Sequence, residues 1–297
     1  MDGYQSGTFL GQHAFLALSL ILFSLYAVAI GLWHLLGRQQ GKLWNFAEAT
    51  WKRLQQSAML SAFRRRFPWG WTMIIHRLSP GGYLGLHFTV SICVLFIVAA
   101  SFFALADEVG EQDWLVQFDH ALSTSVHEHS TLPTVGIFRF VANLGDASTL
   151  SVIGLLVIVG LAVTRHWQLL CVWVIALLGV GFLNESLKNT FQRVRPQLPD
   201  PWIVEPGWSF PSGHAMGSLV VYGMLAYFLS LVVTNRTLRY CIVVLTATLV
   251  VTIGFSRIYL GVHYFSDVVA GYCAATFWLV LATTGNEVAR RHRQPRK

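Results

Sequence analysis

Long apolar runs separated by short polar stretches dominate this chain, and their lengths predict its elements. A helix needs about 20 apolar residues to cross the hydrocarbon core of a bilayer. Seven runs meet or approach that length: Ala14 to Leu36, Leu84 to Ala106, Ser148 to Thr164, Gln168 to Leu187, Ala215 to Val233, Tyr240 to Phe255 and Tyr264 to Thr284. The third and sixth are the shortest, and Pro133 to Asn143 can extend the third as a helix in or near the interface. The pattern predicts an all-α fold, a polytopic membrane helical bundle. The first twelve residues carry Asp2 and no Lys or Arg. The run that follows is therefore expected to be an uncleaved spanning helix rather than a secretory signal.

Two polar stretches carry patterns of their own. From Lys42 to Trp71 the residues Leu43, Ala47, Trp51, Leu54 and Ala58 recur at helical spacing, while Lys52, Arg53 and Arg64 to Arg66 fall elsewhere. This reads as a basic interfacial helix, closed by a turn at Phe67-Pro68-Trp69 and serving as a cytoplasmic anchor. From Asp107 to Asp146 runs a long stretch rich in acids and histidines, with Trp114, Phe118, Leu122 and Val126 at helical spacing. A lid resting on the bilayer is expected there.

Composition closes off other classes. The chain has 297 residues, 54% hydrophobic and only 12% charged, with a mean hydropathy of +0.54. Soluble proteins carry about 25% charged residues, so too little polar surface exists to coat a water-soluble fold, and disorder, coiled coil and disulfide scaffold are excluded too. The net charge of +7 does not indicate nucleic acid, because the basic residues lie between spans. Cys93, Cys171, Cys241 and Cys273 sit far apart inside apolar runs and read as small core residues, not as zinc ligands.

Charge then sets orientation. Sixteen of the twenty-one Lys and Arg residues fall on one side: those from Arg38 to Arg77, Arg165, Arg236, Arg239, and those from Arg290 to Lys297. That side is expected to be cytoplasmic. Twelve of the fourteen acids fall on the other side or at outer span ends. The basic exceptions are Arg139, Lys188, Arg193, Arg195 and Arg257, four of them in two short stretches at outer span ends. Something there needs positive charge.

Three polar clusters occupy that face. The first is Lys188, six residues, then Arg195-Pro196; the second is Pro211-Ser212-Gly213-His214; the third is Ser256-Arg257, five residues, His263, three residues, Asp267. Ionisable groups at span ends are costly unless they pair around a polar cavity, so their convergence is a functional expectation. Lys188, Arg195 and Arg257 supply three cations, and Arg presents a planar fork matched to phosphate oxygens. Ser212 adds a hydroxyl and Gly213 lets backbone N–H groups approach, both where a helix begins and anions are favoured. The expected occupant is a phosphoryl group held without a metal. His263 and Asp267 are four apart, one helical turn, so the carboxylate can bind one ring nitrogen and leave the other as a nucleophile. His214 is then the candidate general acid. His127 and His129 suggest a metal, but two ligands in a polar loop make no site; His120 and His87 are read as structural.

These motifs, matched at every signature position, resemble the type 2 phosphatidic acid phosphatase superfamily. The resemblance covers Leu84 to about Thr284. It implies a six-helix core with the motifs between its helices three to six, a phosphohistidine intermediate on His263, the acid role of His214, and phosphate contacts from Lys188, Arg195, Ser212, Gly213 and Arg257. No cofactor is implied. The organisation expected is residues 1–83 as one extra transmembrane helix with a basic linker, 84–284 as the phosphatase core, and 285–297 as a basic cytoplasmic tail. The extra first helix is a departure from the family pattern.

The leading expectation is an inner-membrane lipid phosphatase acting on its outer face, with no nucleic-acid partner. Undecaprenyl diphosphate, phosphatidylglycerol phosphate, phosphatidate and lipid A are the candidate substrates. A phosphotransferase passing the group to a lipid acceptor uses the same residues. Vanadium haloperoxidases resemble the family in their anion pocket, but seven spans favour a lipid substrate. A lipid transporter on this fold is disfavoured because His263 and His214 are both present. The sequence gives no oligomeric state.

Overall fold

The computed structural model describes residues 2–57, 65–69, 83–111 and 114–292, and all regular structure among them is helical. The helices are α1 (Gly3–Gln12), α2 (Ala14–Gln56), α3 (Tyr83–Glu111), α4 (Trp114–Glu128), α5 (Leu132–Asn143), α6 (Ala147–Val163), α7 (Trp167–Phe191), α8 (Gly213–Val232), α9 (Arg236–Tyr259) and α10 (Phe265–His292). Seven segments among the described residues are long and apolar enough to cross a membrane, in α2, α3, α5 with α6, α7, α8, α9 and α10. The protein is a polytopic membrane helical bundle.

Helix α2 runs unbroken for 43 residues, about 65 Å at 1.5 Å per residue. The expected interfacial helix is thus, as far as Gln56, a continuation of the first span rather than a separate element. The side chains of Leu43, Ala47, Trp51 and Leu54, together with Ala58, the rest of the linker at 58–64 and 70–82, and the tail at 293–297, lie outside the described residues.

Apolar burial falls into two clusters. One gathers Trp173, Met216, Val220, Met224 and Ala275 between α7, α8 and α10, within the depth of the spans. The other gathers Phe118, Phe138, Tyr259 and Leu260, where α4 and α5 meet the end of α9. In hydrocarbon a polar group must find its partner inside the protein. The Trp173 indole N–H accordingly donates to Gly154 O at 3.1 Å, and the Trp278 indole N–H to Ala176 O at 3.1 Å.

The segment from Asp107 to Asp146, expected as a lid, is made largely of helix packed against the bundle. Helices α4 and α5 pack into the core, with Phe138 stacked on Tyr259 at 4.3 Å between ring centroids and the Thr134 hydroxyl 2.6 Å from the Tyr259 hydroxyl. Helix α1 lies along α4 through Gly3, Gly7 and Gly11. A Cβ at these positions would meet Trp114 O at 2.4 Å, Phe118 O at 2.6 Å and Ser125 Cβ at 2.5 Å. Glycine is required for so close an approach, and the Ser125 hydroxyl donates to Thr8 O across it at 3.0 Å.

Candidate active site

The three polar clusters meet at the ends of α7, α8, α9 and α10. Lys188 stands in the last turn of α7, after which Gln192 in the left-handed region ends the helix and releases an irregular segment carrying Arg193 and Arg195. Ser212 is the N-cap of α8 and Gly213 its first residue. Arg257 closes α9, and His263 lies in the turn between α9 and α10. His263 is therefore not on a helix face. Its pairing with Asp267 arises because the first turn of α10 folds Asp267 back: Tyr264 N donates to Asp267 Oδ2 at 2.9 Å, and His263 Nδ1 stands 3.4 Å from the same oxygen.

Lys188, Arg195, Gly213, His214 and His263 line one cavity of about 570 Å³. Arg195 Nη1 donates to Val262 O at 2.8 Å and to His263 Nε2 at 3.1 Å. Arginine is a donor only, so Nε2 carries the lone pair and Nδ1 the proton that faces Asp267. Burial, followed by Arg195 and Arg257, holds the His263 imidazole well below its usual pKa, which keeps that lone pair available. Ser212 Oγ and Arg257 Nε are buried without a hydrogen-bond partner among the described residues. Such orphans are costly in a closed interior, and both suit an incoming anion. A Cβ on Gly213 would press on the Asn184 amide at 3.3 Å, which explains glycine at the mouth of α8.

Four residues join the site that motif spacing did not single out. Asp146, the N-cap of α6, accepts from His214 Nε2 at 2.7 Å, so each histidine has its own carboxylate. Glu205, in the loop between α7 and α8, accepts from Arg257 and stands 3.3 Å from Arg195 Nη1. Burial alone would raise its pKa; Arg257, His214 and His263 more than offset that, so Glu205 is anionic. An internal carboxylate thus sits on the cations expected to hold phosphate. Arg193 donates to Asp267 Oδ1 at 2.6 Å and to Asp119 Oδ2 at 2.9 Å. Asp119 had a visible signal: Leu115, Asp119, Leu122 and Val126 share one face of α4, placing an acid within an apolar stripe.

The other histidines stand apart. His129 Nδ1 lies 2.8 Å from Ser125 O, and the His127 ring packs against Trp202. His120 stacks edge-on against Tyr264, and the side chain of His87 lies outside the described residues. Among the described residues no three His, Cys, Asp or Glu side chains gather as a metal set.

From the phosphate end the cavity continues as an apolar slot between α6 and α7, past Leu150, Gly154 and Ile158 on one wall and Leu177 and Gly181 on the other. Ala147 to Ile158 spans about 16 Å of helix at 1.5 Å per residue. Leu155 and Leu178, on facing helices along the slot, both line it and are both exposed.

Comparison with known proteins agrees with this arrangement. A family profile described as PAP2 superfamily matches residues 168–291. Phosphatidylglycerophosphatase B of Bacillus subtilis (strain 168) is 35% identical over 116 residues, 38% of this chain. The match takes in 55% of that relative, so the chain spans about half the length of the curated protein it matches. The crystal structure of a transmembrane PAP2 type phosphatidylglycerolphosphate phosphatase from Bacillus subtilis superposes with a TM-score of 0.61 at 27% identity. That superposition covers 67% of this chain and 98% of the other.

Proposed function

We propose that the protein, whose residues 168–291 match the PAP2 superfamily profile, is a membrane lipid phosphatase of that superfamily working through a phosphohistidine on His263. One observation carries the reading. A buried histidine whose unprotonated Nε2 accepts from Arg195 lines a cavity with cationic walls, and the same cavity runs on as an apolar slot lined by the exposed Leu155 and Leu178. That is the shape of a lipid with a phosphorylated head.

The phosphate enters among Lys188, Arg195 and Arg257, meets Ser212 Oγ and the N-terminal N–H groups of α8, and displaces Glu205 from the two arginines. His263 Nε2 forms a bond to phosphorus. The bond from phosphorus to the leaving oxygen breaks, its electron pair stays on that oxygen, and His214 gives that oxygen a proton. The ring gains positive charge, which Asp267 stabilises through Nδ1–H. His214 then takes a proton from water as water attacks phosphorus, which frees phosphate and restores His263. The cations stabilise charge on the equatorial oxygens, the part a metal plays in other phosphoryl-transfer sites. Asp146 is 39% exposed beside His214, a solvent connection that favours water over a lipid alcohol as acceptor.

The substrate class is a lipid phosphomonoester or diphosphate, with phosphatidylglycerol phosphate foremost because both relatives bear its name. The distribution of basic residues supports a site on the outer face of the inner membrane. Purified protein assayed for phosphate release from phosphatidylglycerol phosphate, phosphatidate and undecaprenyl diphosphate tests this. Release is expected from wild type and none from His263→Ala. Folded wild type that is inactive on every member, or an active His263→Ala, refutes it.

A further inference from the structure

Arg193 stands outside the three motifs, yet two buried carboxylates hold its guanidinium beside the nucleophile. Its side chain is 9% exposed, between Asp119 and Asp267 at 0%. One end of the guanidinium fork donates to Asp267 Oδ1 and to Ser266 Oγ at 2.7 Å, the other to Asp119 Oδ2. The Tyr264 ring lies under its carbon at 4.2 Å, and its own carbonyl accepts from Ser209 N at 2.8 Å on the segment leading to Ser212. Asp119 is anchored in turn: Oδ1 accepts from Ser266 N at 3.1 Å, and Oδ2 accepts from the Ser266 hydroxyl.

Count the charges facing the imidazole. Arg193 alone would neutralise Asp267 in a buried pair, leaving little negative charge to stabilise a ring that becomes cationic. Asp119 takes half of the fork. The trio Asp119, Arg193 and Asp267 then carries one net negative charge, matched to one imidazolium.

We infer that Asp119 is a positioning residue for catalysis: by sharing Arg193 with Asp267 it aims the Asp267 carboxylate and preserves its charge for His263 during phosphoryl transfer. The inference rests on the phosphatase reading of the site. His263 is faced by Arg195 at 3.1 Å and Asp267 at 3.4 Å, with Arg257, Glu205 and Lys188 as the other charges around it. Asp119 acts on it only through Arg193 and Asp267.

The test is Asp119→Asn, which keeps shape and hydrogen-bonding capacity while removing the charge. We expect kcat to fall at least about tenfold (about 1.4 kcal/mol of barrier) with KM for a lipid phosphate within about twofold. The acid limb of kcat/KM moves to lower pH, because a charge favouring the protonated ring is lost. Asp119→Glu restores the charge at altered reach, so kcat lies between the two and the limb returns. A kcat for Asp119→Asn within twofold of wild type with an unmoved limb overturns the inference, as does a loss of kcat without a limb shift. If only Asp119→Glu accumulates as folded protein, a kcat below wild type with the limb in place supports it, and a wild-type kcat overturns it. Should wild type hydrolyse no lipid phosphate, the phosphatase reading fails separately. The His263 imidazole titration by NMR, assigned by its loss in His263→Ala, then carries the test: it drops in Asp119→Asn or the inference falls.

Discussion

Glu205→Gln should tighten the binding of phosphate-like anions. Its carboxylate accepts from Arg257 and lies 3.3 Å from Arg195, so an incoming anion must displace a charge that already pairs with both guanidinium groups. Unit charges about 4 Å apart interact by about 4 kcal/mol at an effective dielectric of about 20. Glu205 is partly open to water and can swing outward, so screening removes most of that. A residue of about 1.4 kcal/mol corresponds to a tenfold change in affinity. The amide keeps an acceptor for Arg257 and Arg195, so the arginines stay in place while the competing charge goes. The assay is the inhibition constant of vanadate and of inorganic phosphate against lipid phosphate hydrolysis, measured at one ionic strength. Both constants should fall about tenfold, with a parallel fall in KM. If both constants rise, the carboxylate is organising the arginines for substrate rather than competing with it, and the argument is wrong.

Other outcomes follow from the same geometry. His263 is held neutral below the usual imidazole range by burial, Arg195 and Arg257, so its acid limb in kcat/KM should lie below about pH 6.5. Arg195→Gln, which removes a repelling charge, should move the limb upward; a downward shift contradicts this. For stability, between the depressed folded value and about 6.5 the unfolded chain binds more protons, so stability rises with pH in that window and is lost as pH falls through it. Treatment with EDTA should leave activity intact while vanadate inhibits, and activity lost to chelation and restored by a divalent ion would reverse the assignment of charge to Lys188, Arg195 and Arg257. A cysteine placed at Ser130 should react with an impermeant thiol reagent in intact spheroplasts and one at Gln40 only after permeabilisation; the opposite pattern would put the site in the cytoplasm.

The seven spans were legible because hydrocarbon imposes a length on every crossing; the pairing of His263 with Asp267 was anticipated for the wrong reason, since a non-helical turn before α10, and not a shared helix face, brings them together. What spacing missed were partners far apart in sequence. Asp146 and His214 are 68 residues apart, and Asp119 and Arg193 are 74 apart. Each carboxylate looks like an ordinary outer-face acid until the fold sets a base beside it. Two signals were present: Arg193 adds positive charge to a face that should have little, and Asp119 breaks the apolar stripe of α4. The polar content of Asp107 to Asp146 suggested a lid; among its described acids Asp107, Glu108 and Glu128 are exposed, whereas Asp119 and Asp146 meet Arg193 and His214, where the site needs counter-charges. Helix α1 was missed because glycines at every fourth position carry no hydrophobic signal; only the facing surface of α4 gives them meaning.

The slot between α6 and α7 changes what concentration means for this protein. A substrate that arrives sideways through Leu155 and Leu178 never passes through bulk water, so the encounter takes place in two dimensions. Occupancy is then governed by the number of lipid phosphates per unit of membrane area, and a Michaelis constant belongs in mole fraction rather than molarity. Adding detergent at constant total lipid would slow turnover by spreading the same molecules over more surface. In a cell, the same enzyme would respond to the crowding of its leaflet and stay indifferent to the volume of the compartment beside it.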